Sequence, residues 1–254
     1  MTGLADRPRG TVALAIFCKT PIAGESKTRL APLLGTAECA QLSACFIADL
    51  ARTIHALTSD GDVTGVALYT PKGTERALKQ LLPRDFELLP QAEGDFGTRL
   101  NQGIEDLIAS GHAGAILLNS DSPTLPRKIL RAAVDAVRVA AVGGDDRVVL
   151  GPAIDGGYTL IGLSRPHPHL FARIPWSTST VLESTLERAR EIDLPAVILD
   201  AWYDVDDAAS YAMLENELAG SRPAFAPVSL HSEDAPRTRE FLRQRSPGLS
   251  AARS

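Results

Sequence analysis

The chain has 254 residues, 44% hydrophobic and 22% charged, a composition that suits a folded protein with a sizeable core. Its formal charge of -5 argues against general nucleic-acid binding while leaving room for a local basic pocket. No apolar run approaches the ~20 residues of a membrane helix, and the run at 12–17 is too short for a secretion-signal core.

Residues 12–17 are apolar on both alternating faces, which predicts a strand covered on both sides. Directly after it, residues 18–29 form a loop with a flexible Gly24 and three cations, Lys19, Lys27 and Arg29. Backbone N–H groups, ammonium charges and a guanidinium fork could together wrap an anion there; a solvated basic loop is the plainer alternative. The loop is not a P-loop, because Pro21 and Ser26 stand where that motif needs glycine. Cys39, Leu42, Phe46, Leu50 and Ile54 then recur at three- and four-residue steps, one face of a helix that starts at Gly35-Thr36. The three cysteines, Cys18, Cys39 and Cys45, form no Cys-x-x-Cys pair, and an odd count gives no disulfide framework. A reducing, cytoplasmic compartment fits, with Cys39 and Cys45 as core filling on that helix.

Residues 63–69 predict a second strand, and Leu100, Ile104, Leu107 and Ile108 a second helix face. The strand at 115–118 runs into a polar turn that presents Asp121, after which Pro123 and Pro126 lead into a helix. A carboxylate at a strand's carboxyl end, near an anion-binding loop, suits Mg²⁺; a turn or helix-cap role is the alternative. After a strand at 148–150, Asp155-Gly156-Gly157-Tyr158 permits close approach of backbone to a ligand, with a Gly-Gly hairpin as the alternative. Thr180 with Glu183 has capping-box spacing before a helix marked by Leu182, Leu186 and Ala189. A strand at 197–199 precedes Asp204, Asp206 and Asp207, of which one is expected to cap a helix at Ala208. Asp204 and Asp206 point to one side if extended, so a second metal carboxylate is available.

Alternating strands and helices predict a single-domain α/β fold over residues 1–220, with a mainly parallel sheet and helices on both faces. Residues 221–254, rich in Ser, Pro and Arg, read as a partly disordered tail with one short helix near residues 238–244. The five histidines form no metal-ligand set, and no nucleophile–base arrangement is recognisable. Gly-x-Gly-x-x-Gly is missing after the first strand, which argues against a dinucleotide-binding dehydrogenase.

Six segments in fixed order carry a family resemblance. They are Lys-Thr-Pro-x-x-Gly-x-x-Lys-Thr-Arg-Leu from Lys19, Gly94-Asp-Phe-Gly97, Asp121-Ser-Pro-Thr-Leu-Pro, Gly151-Pro-x-x-Asp-Gly-Gly-Tyr, Ile174-Pro-Trp-Ser-Thr178 and Asp204-Val-Asp. Together they resemble bacterial glycosyltransferase-A-like transferases associated with radical-SAM or selenium-related gene clusters, including arsenosugar-type glycosyltransferases. More distantly they are similar to 2-phospholactate and molybdenum-cofactor guanylyltransferases. The resemblance implies a nucleotide-diphospho-sugar transferase fold, a nucleotide over the first loop and a divalent ion, Mg²⁺ or Mn²⁺, on Asp121 and Asp206. It also implies an acceptor near Asp155, Gly156 and Gly157. The sequence departs from the family pattern at Asp207-Ala-Ala-Ser, where Thr and a further acid are usual, which puts the helix start in doubt.

These readings give a set of expectations. Lys19, Gly24, Lys27, Thr28, Arg29, Gly94 and Gly97 bind the nucleotide, and Asp155, Gly156, Gly157 and Tyr158 meet the acceptor. Lys27, Arg29 and Asp121 carry catalysis. The expected partners are a nucleotide or nucleotide sugar and a small-molecule acceptor, with neither nucleic acid nor a membrane span. Glycosyl transfer leads, nucleotidyl transfer with release of pyrophosphate follows closely, and a non-catalytic nucleotide-binding module stands as the third reading.

Overall fold

The computed structural model describes residues 10–245. Seven strands form one sheet in the order β3-β2-β1-β4-β6-β5-β7. They are β1 (Val12–Lys19), β2 (Val63–Thr70), β3 (Glu87–Pro90), β4 (Gly114–Asn119), β5 (Val148–Pro152), β6 (Tyr158–Leu163) and β7 (Ala196–Ile198). All neighbours pair in parallel except β6, which runs antiparallel to both β4 and β5. The helices are α1 (Ala31–Leu34), α2 (Thr36–Thr58), α3 (Glu75–Lys79), α4 (Phe96–Ala109), α5 (Arg127–Gly143), α6 (Val181–Glu191), α7 (Ala208–Leu218) and α8 (Pro236–Arg245).

The alternation in β1 explains the two layers. Val12, Leu14, Ile16 and Cys18 face a core built with α2, α5 and α7, while Ala13 and Ala15 face a smaller core built with α4 and α6. On that second face Gly103 of α4 lies close to Leu68 of β2, where a Cβ would come within 2.3 Å of the leucine. Cys39, Leu42, Phe46, Leu50 and Ile54 are all fully buried, as the spacing predicts, and each large apolar side chain so buried contributes roughly 1.5–3 kcal/mol. Cys39 fills the core and Cys45 packs at its margin. Among the described residues no single helix is long and apolar enough to cross a membrane; α2, the longest, is a core helix.

Several expectations change. β3 and β6 are additional strands, and β5 with β6 makes the Gly-Gly hairpin that was the plainer alternative for residues 151–160. Thr180 precedes α6 but makes no side-chain cap; its hydroxyl pairs with Thr178 instead, at 3.0 Å, so the capping box with Glu183 does not form. A capping box does form at α7, where Asp207 accepts from Ser210 N at 2.8 Å and the Ser210 hydroxyl returns to the Asp207 N–H at 3.1 Å. Ser210 thus performs the office usually given to an acid. Within residues 221–245 the short helix expected near residues 238–244 is α8, and the segment packs on the domain. Ala226, Leu230, Ala235 and Phe241 belong to the larger core, and α8 lies against α2. Asp49 on α2 ties it down, accepting from Arg237 N, Thr238 N and Thr238 Oγ1 at 3.0, 2.8 and 2.7 Å. The rest of the expected tail, residues 246–254, lies outside the described residues.

Topology brings the loops together. β1, β4, β5 and β7 end on one edge of the sheet, so the loops after β1 and β4 and the β5–β6 turn share that edge. From β7 the chain crosses this edge: Trp202 N donates to Pro152 O at 3.0 Å, and Val205 N donates to Asp121 O at 2.9 Å. That crossing carries Asp204 and Asp206 from the rim of the sheet to its centre.

Candidate active site

A two-lobed crevice opens at this edge. One lobe, about 340 Å³, lies over the first loop and includes Lys19, Thr28, Arg29, Gln91 and Arg99 in its lining. The other, about 490 Å³, lies over the hairpin and includes Asp155, Gly157, Tyr158, Trp176 and Asp204. Arg29, Asp121 and Asp206 line both lobes and form the waist between them.

Lys27 is the centre of the waist. Its backbone adopts a left-handed conformation, φ 50 and ψ 41, and its side chain is 4% exposed. The ammonium lies 2.7 Å from Asp121 Oδ1 and 3.1 Å from Asp206 Oδ1, and donates to Val205 O at 2.7 Å. An ammonium has three donors, and three protein acceptors surround this one. Burial alone would lower its pKa, but Asp121 and Asp206 more than offset that and hold it above the ordinary value. Lys27, expected on the nucleotide's phosphates, lines the first lobe and lies between the two carboxylates expected to hold the metal. The cations of the first loop that line the crevice beside it are Lys19 and Arg29.

The acidic side carries more charge than Lys27 balances. The Asp204 carboxyl is pushed up to about 7, first by burial and then by Asp206, Asp155 and Asp121. No group of three or more His, Cys, Asp or Glu side chains is arranged to hold a metal among the described residues. Asp121 and Asp206 nevertheless offer hard oxygen donors beside surplus negative charge. Two carboxylates of this kind fit Mg²⁺, which usually completes its shell with water and substrate oxygens.

The expected glycines divide. Gly157 lines the second lobe, whereas Gly24, Gly94, Gly97 and Gly156 line neither. Two of them build the walls. A Cβ on Gly97 would lie 2.8 Å from Phe171 O and 3.2 Å from Trp176 Nε1, so its bare backbone lets α4 reach the segment that carries Trp176. A Cβ on Gly156 would lie 2.0 Å from Ser179 O, and its φ of 94 is left-handed. That contact seats the hairpin against the start of α6, where Leu182 N donates to Gly156 O at 3.0 Å. Asp155 accepts from Gly157 N at 2.9 Å, which holds the turn.

Sequence reasoning missed a fourth cation. The Gln91 amide donates to Cys18 O at 3.1 Å and Leu68 O at 2.8 Å, fixing its oxygen toward Arg99. Arg99 Nε and Nη2 both donate to that oxygen, the former at 3.0 Å. The guanidinium lies 5.2 Å from the Phe17 ring centre and 5.9 Å from that of Phe96. Burial lowers its pKa, and it joins no salt bridge among the described residues. A cation desolvated, stacked and aligned without a carboxylate is ready for a ligand acceptor. The signal that would have found it is β3, whose end presents Gln91. Cys18 also lines this lobe, but burial, then Asp121, pushes its thiol up to about 12, so it is not a nucleophile.

Residues 53–178 match the family model described as an uncharacterized protein conserved in bacteria (DUF2064). The crystal structure of a candidate nucleotide-diphospho-sugar transferase from Desulfovibrio desulfuricans G20 superposes with a TM-score of 0.76 at 25% identity, covering 94% of this chain and 96% of that one. The fold is the nucleotide-diphospho-sugar transferase fold. A cytidylyltransferase from Leptospira borgpetersenii shares it at TM-score 0.53 and 13% identity, over 96% of this chain and 98% of that one. The 4-diphosphocytidyl-2C-methyl-D-erythritol synthase from Anaerococcus prevotii shares it at TM-score 0.50 and 8% identity, over 83% and 99%. No curated protein sequence matches the chain. In this nucleotide-diphospho-sugar transferase fold the crevice lies outside the carboxyl ends of the parallel strands, where open α/β sheets place their ligands.

Proposed function

We propose that the chain is a transferase that uses a nucleotide-activated donor, and that it moves a glycosyl group from a nucleotide sugar to a small acceptor. The observation that carries this reading is the Asp121–Lys27–Asp206 waist, with a cation-lined lobe on one side and a carboxylate- and aromatic-lined lobe on the other. The first lobe takes the nucleoside diphosphate, its charge met by Lys19, Arg29 and Arg99. A divalent cation on Asp121 and Asp206 would screen the phosphates of the leaving group. Lys27 acts as a positioning residue that holds the two carboxylates at a fixed separation. In the second lobe Asp155 orients the acceptor hydroxyl and takes its proton. The hydroxyl oxygen bonds to the anomeric carbon, the bond from that carbon to the phosphate oxygen breaks, and the electron pair leaves with the nucleoside diphosphate. One preorganised donor to that developing charge contributes about 3–4 kcal/mol to lowering the barrier.

Nucleotidyl transfer is the second reading, favoured by one feature: besides Lys27, which Asp121 and Asp206 engage, the cations Lys19, Arg29 and Arg99 line the first lobe, enough for a triphosphate. Incubation with nucleotide sugars and with labelled nucleoside triphosphates, each with and without Mg²⁺ or Mn²⁺, separates the two. Nucleoside diphosphate released with sugar transfer is expected. Pyrophosphate released from a triphosphate without sugar turnover defeats the glycosyl reading in favour of the second.

A further inference from the structure

The second lobe carries information about the acceptor itself, an inference that rests on the transferase reading above. Of its lining side chains, four are carboxylates, Asp121, Asp155, Asp204 and Asp206, and one, Arg29, is a cation. Asp121 and Asp206 are engaged by Lys27, whereas Asp155 and Asp204 join no salt bridge among the described residues. The remaining polar lining is neutral and hydroxyl-rich, with Thr159, Ser177, Thr178 and Ser179. One wall is aromatic. Trp176 meets Phe96 edge to face at 4.9 Å between ring centres and Tyr158 at 6.5 Å.

An anionic acceptor entering this lobe would face the unpaired Asp155 carboxylate, with the Asp204 carboxyl beside it and no cation but Arg29 among the lining side chains. A polyol meets no such penalty: its hydroxyls donate to the carboxylates and exchange hydrogen bonds with the serines and threonines, while its C–H faces lie on the aromatic wall. A phosphate-bearing acceptor would need a cation group like that of the first lobe, whereas Arg29 is the one cationic side chain lining this lobe and a divalent ion on Asp121 and Asp206 would be committed to the donor phosphates. We propose that the second lobe accepts an uncharged, polyhydroxylated molecule and discriminates against phosphorylated and other anionic acceptors, with Asp155 as the discriminating side chain.

The two tryptophans permit a test that does not depend on turnover. Trp202 is fully buried, and Trp176 stands half-buried in the lobe wall, so collisional quenching of fluorescence reads the lobe. With each quencher normalised to free N-acetyltryptophanamide, iodide is expected to quench the wild-type protein about threefold less efficiently than caesium, and the Trp176→Phe variant should lose the quenchable signal. Asp155→Asn should narrow the gap between the two ions. Iodide quenching equal to or stronger than that of caesium in the wild type overturns the proposal. With Mg²⁺ and a nucleotide sugar supplied, matched sugars and sugar phosphates should then differ at least about tenfold in kcat/KM, in favour of the uncharged member. A phosphorylated acceptor used as well as its neutral counterpart overturns the proposal and leaves the transferase reading intact. Failure of every donor to turn over strikes the transferase reading instead, and the quenching comparison still decides the charge preference.

Discussion

Single side chains carry the sharpest expectations. Asp121→Asn keeps an acceptor near Lys27 but removes a charge from the waist, so kcat should fall about 10²–10³-fold with the melting temperature little changed. Steady-state rates beside a thermal melt check this; binding of nucleotides without any turnover in either protein would favour the non-catalytic module. Arg99→Ala should raise the donor KM about tenfold, and Arg99→Lys should not restore it, because an ammonium cannot repeat the planar fork on Gln91 and the stacking on Phe17. Donor titrations on the two variants decide it. The first loop was legible because cations cluster beside a glycine directly after a strand. Arg99 was not, since its role arises from Gln91 and Phe17, distant in sequence and brought to it by the sheet. The raised pKa of Asp204 was equally hidden, for it depends on burial in the folded crevice and on Asp155 and Asp121 arriving from other loops.

At the scale of elements, periodicity decided what could be read. α2 announces itself by a long run of evenly spaced apolar residues, and its face packs as expected. β3 is four residues long and half-buried throughout, so it shows no alternation to recognise. β6 was obscured because its first residues were read for chemistry rather than as part of a strand. The C-terminal extension misled through composition: its buried residues are few, yet Leu230 and Phe241 are 1% and 5% exposed. Asp207→Ala should cost about 1 kcal/mol by removing the α7 cap, seen as a lower midpoint in urea with an unchanged slope. Gly156→Ala should cost more, about 2 kcal/mol or above, because both the left-handed backbone and the Ser179 carbonyl oppose a methyl group there. Chemical denaturation of the two variants ranks them.

For the whole molecule, stability should depend on pH through a buried acid away from the crevice. Glu217 is 7% exposed, and its carboxylate accepts from the Tyr203 hydroxyl at 2.5 Å. Burial raises its pKa above the usual 4.5, and its hydrogen bonds from Tyr203, Thr124 and Ser232 do not fully offset that. A raised folded-state value means that the folded protein binds the proton more tightly than the unfolded chain. The resulting stability is complete below the ordinary glutamate pKa and is lost as pH rises through the folded value. Glu217→Gln should therefore melt above the wild type at about pH 8, with the gap closing toward about pH 4. Melting curves across that interval test the sign.

The strap from β7 to Asp121 ties the outermost strand to the middle of the molecule. β7 is only three residues long and held by β5 alone, so it is the strand most easily frayed. Loosening of this margin would withdraw Asp206 before the rest of the sheet gave way, and catalytic competence should fade on warming ahead of any bulk loss of helix.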